Sequence, residues 1–422
     1  MANFNRIINI AVIAHVDHGK TTLVDAMLKQ TNSFRENQEE MAIERIMDSN
    51  ELEREKGITI LSKNTSIFYK ETKINIIDTP GLDDFSGNVV SSLFATDCAV
   101  LTINVQNGVE VGSEIAFRHA EKAHKPLILV VNGLDHEKAN FERSIEMMKD
   151  RFGSNTNVVQ YPVNEGAGFN SIIDVLRMKM LQYPVEGGIS KILDIPEDQM
   201  EKALELHNAL VEKAAESDES LMEQFFANDS LTEEEIRRGI AKGIVTRGIF
   251  PVFCLSAKNN IGVDSLMEFI VSEAPSITDM PPPVNSRGDL VKADPAGPAS
   301  VYVFKSSIEE HIGEINYFRV FSGKITENME VVNSNNGVKE RLSQLYVCAG
   351  KNRVRVQELN TGDIGAFVKL KNTKADHTLN APGNDWKYAG ISYPEPKYRT
   401  AIKAQSESDD EKLGEEIGRA HV

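Results

Sequence analysis

The segment that most restricts what this chain can fold into is Ala14-His15-Val16-Asp17-His18-Gly19-Lys20-Thr21, with Thr22 after it. An apolar run of strand length precedes it at 7–13, and a helical spacing of apolar residues follows at 22–28. Strand, glycine turn and helix in that order are what a phosphate-binding loop of the G-x-x-x-x-G-K-[ST] type requires, whereas a chance glycine turn needs neither flank. Backbone N–H groups around Gly19 would wrap a β-phosphate, and the new helix would point its positive end at the same charge. Lys20 would reach the β- and γ-phosphates, and the Thr21 hydroxyl would hold Mg²⁺. Ala14 stands where the pattern has its first glycine.

Further strand-like runs follow at 58–69 and 73–77, and the second ends on Asp78-Thr79-Pro80-Gly81. An Asp at the carboxyl end of a strand near a phosphate loop would hold Mg²⁺ through water. The bland alternative is a plain strand-ending turn. Apolar runs at 98–105 and 127–131 are separated by a helical pattern at 110–123. Strands alternating with helices predict an α/β fold, a doubly wound and mainly parallel sheet with ligands at the carboxyl ends of its strands. The run at 127–131 delivers Asn132-Gly133-Leu134-Asp135 to that edge, and the run at 251–255 delivers Ser256-Ala257-Lys258. Asp135 can accept from the N1–H and exocyclic amine of guanine, while the Ala257 N–H can donate to O6. Adenine would leave those groups unpaired. An ordinary loop asparagine and a helix-capping serine are the bland readings of the two motifs.

Roughly 120 residues lie between Asp135 and Ser256, far more than one helix and its connections need. Helical patterns at 196–217, 221–226 and 232–246 make an α-rich insert at about 157–248, with acidic faces that read as solvated surface or a docking face. The expected domains are 1–280, a Pro-rich linker at 281–299, and an antiparallel β-barrel at 300–383 built from short Val/Ile/Tyr/Phe runs between Gly and Asn turns. A further segment begins near 392 and runs to 416. At 422 residues and 41% hydrophobic content, two or more domains with sizeable cores are expected. Lys and Arg number 46 against 63 Asp and Glu, a net charge of −17, which excludes a general nucleic-acid binder. Cys98, Cys254 and Cys348 have no metal-ligand or paired spacing. With no signal core and no run long enough to span a bilayer, the expectation is a cytoplasmic monomer without membrane or DNA partners.

These motifs in this order resemble the guanine-nucleotide set of the translational GTPases: the loop at 14–21, Gly57-Ile58-Thr59-Ile60, Asp-Thr-Pro-Gly, Asn-x-x-Asp and Ser-Ala-Lys. Arg319-Val320-Phe321-Ser322-Gly323 and Gly362-Asp363-Ile364-Gly365-Ala366 resemble the family's second-domain barrel. The resemblance implies GTP and GDP as ligands, Mg²⁺ as cofactor and the ribosome as partner. It implies that Thr59 closes over Mg²⁺ and the γ-phosphate, completing a switch segment at about 32–60, and that Lys20, Thr59 and Gly81 form the catalytic set. From about residue 82 the chain is similar to elongation factor G, including that factor's extra subdomain before Ser256 and the start of its third domain at 397–414. Residues 6–81, with Arg45-Ile46-Met47-Asp48-Ser49-Asn50-Glu51-Leu52-Glu53, look more like the BipA/TypA group of ribosomal GTPases.

Three departures matter. Leu82 stands where the family has the His that orients the attacking water, and losing such a group removes a factor of about 10²–10⁴. Guanine nucleotide binding with weak hydrolysis is therefore expected, with Asp83 or Asp84 as the nearest polar substitutes. Gly133 replaces the Lys of Asn-Lys-x-Asp, so affinity should fall while the guanine preference carried by Asp135 survives. Lys56 replaces an Arg, a mild change for a surface charge but not for a bidentate contact. Two oddities concern the chain itself. The change of resemblance falls at Ile77-Asp78-Thr79-Pro80-Gly81, a string both groups share, so an intermediate lineage and a join between two genes are both open. Ile417-Gly418-Arg419-Ala420-His421-Val422 is the translation of ATCGGAAGAGCACACGTC, a common sequencing-library adapter, which predicts a non-native tail on a truncated chain. One uninterrupted DNA read of the source across codons 60 to 110 should show a junction; an unbroken gene there would establish the intermediate lineage.

Overall fold

The apolar run at the start of the chain forms β1 (Arg6–Ala14), buried from Ile8 onward. The structure, a computed structural model, describes residues 5–31, 53, 55, 58–184, 186–309, 313–349, 352–396, 399–404, 406 and 409. They fall into two units, Met1–Met280 and Pro281–Val422.

In the first unit β1 is followed by α1 (Lys20–Gln30), β2 (Lys63–Tyr69), β3 (Thr72–Asp78), α2 (Ser86–Ala95) and β4 (Cys98–Asn104). Next come α3 (Val111–Lys122), β5 (Leu127–Asn132), α4 (Phe141–Phe152) and β6 (Thr156–Val158). The insert then holds β7 (Gln160–Pro162), β8 (Ser171–Asp174), β9 (Lys179–Gln182) and β10 (Lys191–Leu193). Its helices are α5 (Glu197–Glu216), α6 (Glu219–Asn228) and α7 (Glu233–Val245), and β11 (Phe250–Leu255) and α8 (Val263–Glu273) complete the unit.

Seven strands make one sheet in the order β2-β3-β1-β4-β5-β11-β6. Every neighbouring pair is parallel except β2 with β3. Alternate residues of each strand enter opposite cores. Ile8, Ile10 and Val12 join the core containing Leu23 and Met27 of α1 and Leu266 and Ile270 of α8. Ala11 and Ile13 join the core containing Leu93 of α2, Phe117 of α3 and Met148 of α4. Two covered faces explain why the strands read as continuous apolar runs, and the doubly wound expectation holds. Because β1 has β3 on one side and β4 on the other, its carboxyl end is the switch point where such sheets bind ligands. A buried polar ladder crosses this apolar sheet: Ser66 Oγ donates to Asn75 (2.7 Å), Asn75 to Asn9 (2.8 Å) and Asn9 to Asp97 (2.8 Å).

Three elements differ from expectation. The first helix begins at Lys20 rather than Thr22. The run at 58–69 is strand only from Lys63, because the N–H groups of Ile60 and Leu61 donate to the Glu53 carboxylate (2.9 and 3.3 Å) instead of a ladder. The insert carries the three expected helices and also an antiparallel sheet, β10-β9-β8-β7, whose strands of three or four residues are too short to show a period. Most of 32–57, including Lys56 and Gly57, lies outside the described residues.

The second unit is antiparallel, as expected of its short runs. Its strands are β12 (Ser300–Glu309), β13 (Gly313–Ser322), β14 (Lys324–Thr326), β15 (Glu330–Asn333) and β16 (Lys339–Arg341). They continue with β17 (Leu345–Ala349), β18 (Asn352–Val356), β19 (Glu358–Asn360), β20 (Ile364–Val368) and β21 (Thr378–Asn380). Eight form a sheet in the order β16-β15-β21-β12-β13-β20-β17-β18, and β14 pairs with β19. A register shift between β12 and β13 at Val303/Lys305 adds the twist a curled sheet needs. Phe318 and Phe367 stack in its core with centroids 3.7 Å apart. Part of the 281–299 stretch packs on this unit, Ser286 N–H donating to the Lys387 carbonyl (2.6 Å). Within 392–416 the described residues carry no strand, and 417–422 lie outside them.

Replacing Asn75 with Ala removes one member of the buried ladder and should cost about 1–3 kcal/mol, read as a lower urea midpoint for the first unit. A loss under about 0.5 kcal/mol would mean the ladder contributes nothing.

Candidate functional site

The loop between β1 and α1 has two residues in the left-handed region, Asp17 (φ 60°) and Gly19 (φ 85°). Gly19 caps α1 without a side-chain hydrogen bond, so no side chain of its own fills the helix's open N-terminus. A Cβ on Gly19 would lie 2.2 Å from Asn132 Nδ2, so a glycine is needed here for approach as well as for φ. Lys20 is buried, and its ammonium folds over the loop to donate to the carbonyls of His15 (2.9 Å) and Ala14 (3.4 Å). The turn after β3 closes on the same place: a Cβ on Gly81 would lie 2.5 Å from Lys20 Nζ and 2.9 Å from Val16 N. Thr79 anchors that turn through its N–H (3.3 Å) and hydroxyl (2.8 Å) to the Val12 carbonyl, and Pro80 is buried beside it.

Three oxygen-bearing side chains meet at the head of α1. The Thr21 hydroxyl donates to Asp78 Oδ2 at 2.7 Å and lies 3.2 Å from Thr59 Oγ1. Asp78 and Thr59 are both buried. Hydroxyl and carboxylate oxygens converging next to a phosphate loop are the donors a hard cation such as Mg²⁺ takes, so these residues fit that ion. A cavity of about 130 Å³ opens beside them, lined by Val16, Asp17, Lys20, Thr22, Ile58 and Leu82 among others.

The second cluster sits at the ends of β5 and β11, paired in register Leu255↔Asn132. Asn132 bridges three segments: its Nδ2 donates to the His18 carbonyl (3.1 Å), and its Oδ1 accepts the Ala257 N–H (3.0 Å). It is therefore not an ordinary loop asparagine. The Ala257 N–H, expected to face the base, is held by Asn132, so a base oxygen would share that donor or displace the amide. Ser256 does not cap α8, whose cap is Gly262; it closes its own turn, accepting the Asn259 N–H at 3.2 Å. Gly133 has φ 89°, Leu134 is fully buried, Asp135 is half-buried and Lys258 is exposed. The first cluster thus holds the phosphate-loop, Asp78–Gly81 and Thr59 positions, and the second holds the base-reading positions.

Leu82 precedes a short 3-10 turn (Asp83–Phe85) and lines both the cavity above and a smaller apolar one bounded by Val89, Ile115 and His119. Asp84, one of the sequence's nearest polar substitutes, is exposed. Two acidic residues at the site gave no sequence signal. Glu53 is buried and receives Ile60 N–H, Leu61 N–H and Lys63 Nζ (2.5 Å), pinning the stretch that carries Thr59. Glu110, ahead of α3, accepts from buried His18 Nε2 (2.8 Å) and Asn107 (2.9 Å). His18 Nε2 faces the Glu110 carboxylate, and Nδ1 lies 3.2 Å from both the Asn104 nitrogen and the Thr102 carbonyl oxygen. Burial pushes the His18 pKa down despite the Glu110 partner, and His18 holds the Glu110 carboxyl below its usual range. Glu53 ends the Arg45–Glu53 string and Glu110 opens a helical pattern, but neither gives a sequence reason to assign it to the site; proximity in space does.

A phosphate loop at the switch point of a doubly wound sheet, with a threonine, an aspartate and an Asn/Ser pair at neighbouring strand ends, defines a P-loop GTPase domain. The elongation factor Tu GTP-binding domain family matches residues 5–276, and the chain belongs to that family. Residues 298–381 match elongation factor G domain 2. A solved protein from Thermus thermophilus superposes with a TM-score of 0.81 over 98% of this chain and 60% of its own, at 24% identity. At that identity the likeness is one of fold, and this chain spans 60% of that protein's length.

Gly81→Ala should push Lys20 Nζ from its place and weaken GTP binding by about tenfold, measured by titration with a fluorescent analogue. Unchanged affinity would show that the close approach of the turn to the loop is not needed.

Proposed function

We propose that the chain is a GTP-binding translation elongation factor of the elongation factor G class, acting on the ribosome in the cytoplasm as a monomer. The convergence of Thr21, Thr59 and Asp78 beside Lys20 supports a Mg²⁺-bound nucleotide most directly. Mg²⁺, when bound, supplies charge neutralisation at the β- and γ-phosphates. In this reading the loop N–H groups and Lys20 bind the phosphates, Thr21 and Thr59 hold the metal directly, and Asp78 holds it through water. Asp135 and the Ser256–Lys258 turn select guanine. The order of Thr59 with nucleotide state then sets ribosome affinity.

Leu82 weakens the hydrolytic half of this cycle. It borders the cavity where a water would stand and can neither accept nor donate a proton. Positioning and charge stabilisation remain, so hydrolysis is slow rather than absent. The alternative reading, favoured by the same leucine, is a GTP-loaded ribosome ligand without significant hydrolysis. The stretch at 6–81 keeps a BipA/TypA-like ribosomal GTPase as a further alternative.

Ribosome-stimulated single-turnover hydrolysis by wild type, Leu82→Ala and Leu82→His tests this. Leu82→Ala should change the rate less than threefold and Leu82→His should raise it by about 10² or more. A large loss in Leu82→Ala would give the leucine a catalytic part, and failure of the wild type to bind GDP or GTP would end the proposal.

A further inference from the structure

The loop that follows β11 is held from outside itself. Within the loop, Ser256 and Ile261 exchange N–H···O bonds of 3.0 Å each. Its outer edge leans on a stretch of the insert. The Gly188 N–H donates to the Asn260 carbonyl at 2.9 Å, and Gly187 is so close that a Cβ there would sit 1.9 Å from the Asn259 carbonyl oxygen. Two residues further on, in the first turn of α8, buried Asp264 accepts from the Tyr183 hydroxyl (2.7 Å) and from the N–H (3.3 Å) and hydroxyl (3.2 Å) of Ser190. From the other side Gln30, the last residue of α1, donates to Asn260 Oδ1 at 2.8 Å.

We propose that Tyr183, Gly187, Gly188 and Ser190 of the insert are positioning residues for base recognition, fixing the 256–262 loop so that its backbone N–H groups discriminate at the six-position of the purine. This rests on the guanine reading above. Apolar burial secures one end of the stretch at Tyr183 but not its middle, where Ile189 is 82% exposed. Its contacts go to two backbone carbonyls of the base loop and to the carboxylate that starts the helix after it. A backbone donor read against a six-oxo group must be placed within a few tenths of an ångström to be worth its bond. Inside the loop the Asn259 and Asn260 N–H groups also bond inward, to Ser256 Oγ (3.2 Å) and the Ala257 carbonyl (3.3 Å), and the insert's contacts at Asn259 and Asn260 add to that placement from outside. Asp135 lies on a different loop, after β5, and is not touched by these contacts. Two discriminations therefore separate: the exocyclic amine, read by Asp135, and the six-oxo group, read by the loop the insert holds.

The test uses the full chain and three ligands, GDP, 6-thio-GDP and xanthosine diphosphate, with dissociation constants for wild type, Ser190→Ala, Tyr183→Phe with Ser190→Ala, and Gly187→Ala. Sulfur is a weak acceptor, so 6-thio-GDP reports the six-position, while xanthosine diphosphate reports the amine. The preference for GDP over 6-thio-GDP should fall about fivefold to tenfold in the double variant and in Gly187→Ala. Ser190→Ala, the mildest change, should fall at least twofold, and the preference over xanthosine diphosphate should stay within twofold throughout. If both preferences stay unchanged, or fall together as general loosening would make them, the inference is overturned. A wild type that prefers GDP over xanthosine diphosphate but not over 6-thio-GDP overturns it as well. A wild type with no preference between GDP and xanthosine diphosphate defeats the guanine reading itself.

Discussion

One amide, that of Asn132, joins the two halves of the nucleotide site. Its nitrogen bonds the carbonyl of His18 in the phosphate loop, and its oxygen bonds the N–H of Ala257 in the base loop. The groups it links lie far apart in the chain and come together because β5 stands between β4 and β11 in the sheet. Gly19 leaves the amide room, since any side chain there would collide with it. A part-buried polar bridge of this kind is worth most when every member is satisfied, and loss of one partner costs more than the bond itself.

The phosphate loop was legible in the sequence because its chemistry is local. A helix start, a left-handed glycine, a lysine and a threonine must be consecutive, and the flanking periodicities are those of one strand and one helix. Asp78 and the Asn/Ser pair were legible for a related reason, each standing where an apolar run of strand length stops. What escaped depends on space rather than spacing. Glu53 and Glu110 carry no sequence mark of a site residue, and their carboxylates matter because folding sets one beside the amides of Ile60 and Leu61 and the other beside His18. The small sheet of the insert escaped because three-residue strands show no alternation. The run from Ile58 was read as strand because its composition is that of a strand, but a buried carboxylate competed for its N–H groups.

Acidic side chains do much of the tethering near the nucleotide. Glu53 holds the stretch carrying Thr59, Glu110 holds His18, and Asp264 holds Tyr183 and Ser190. Glu110 and Asp264 accept from donors on segments distant in sequence, whereas Glu53 accepts from donors seven to ten residues on; two of the three reach a loop of the site directly. The net charge of −17 is thus not only a property of the solvated surface. Hydrogen bonds to ionised acceptors are roughly twice as strong as neutral ones, which suits segments too short to bury much apolar area.

Gly133 stands with φ 89° at the position where the resemblance to the translational GTPases implies a lysine. The space around it is open, the nearest atom to a built Cβ being Val105 Cγ1 at 3.9 Å, so crowding does not keep a long side chain out. The backbone does: an L-residue held left-handed costs about 1–2 kcal/mol. A lysine placed at this position would have to move the main chain before its stem could lie along the base.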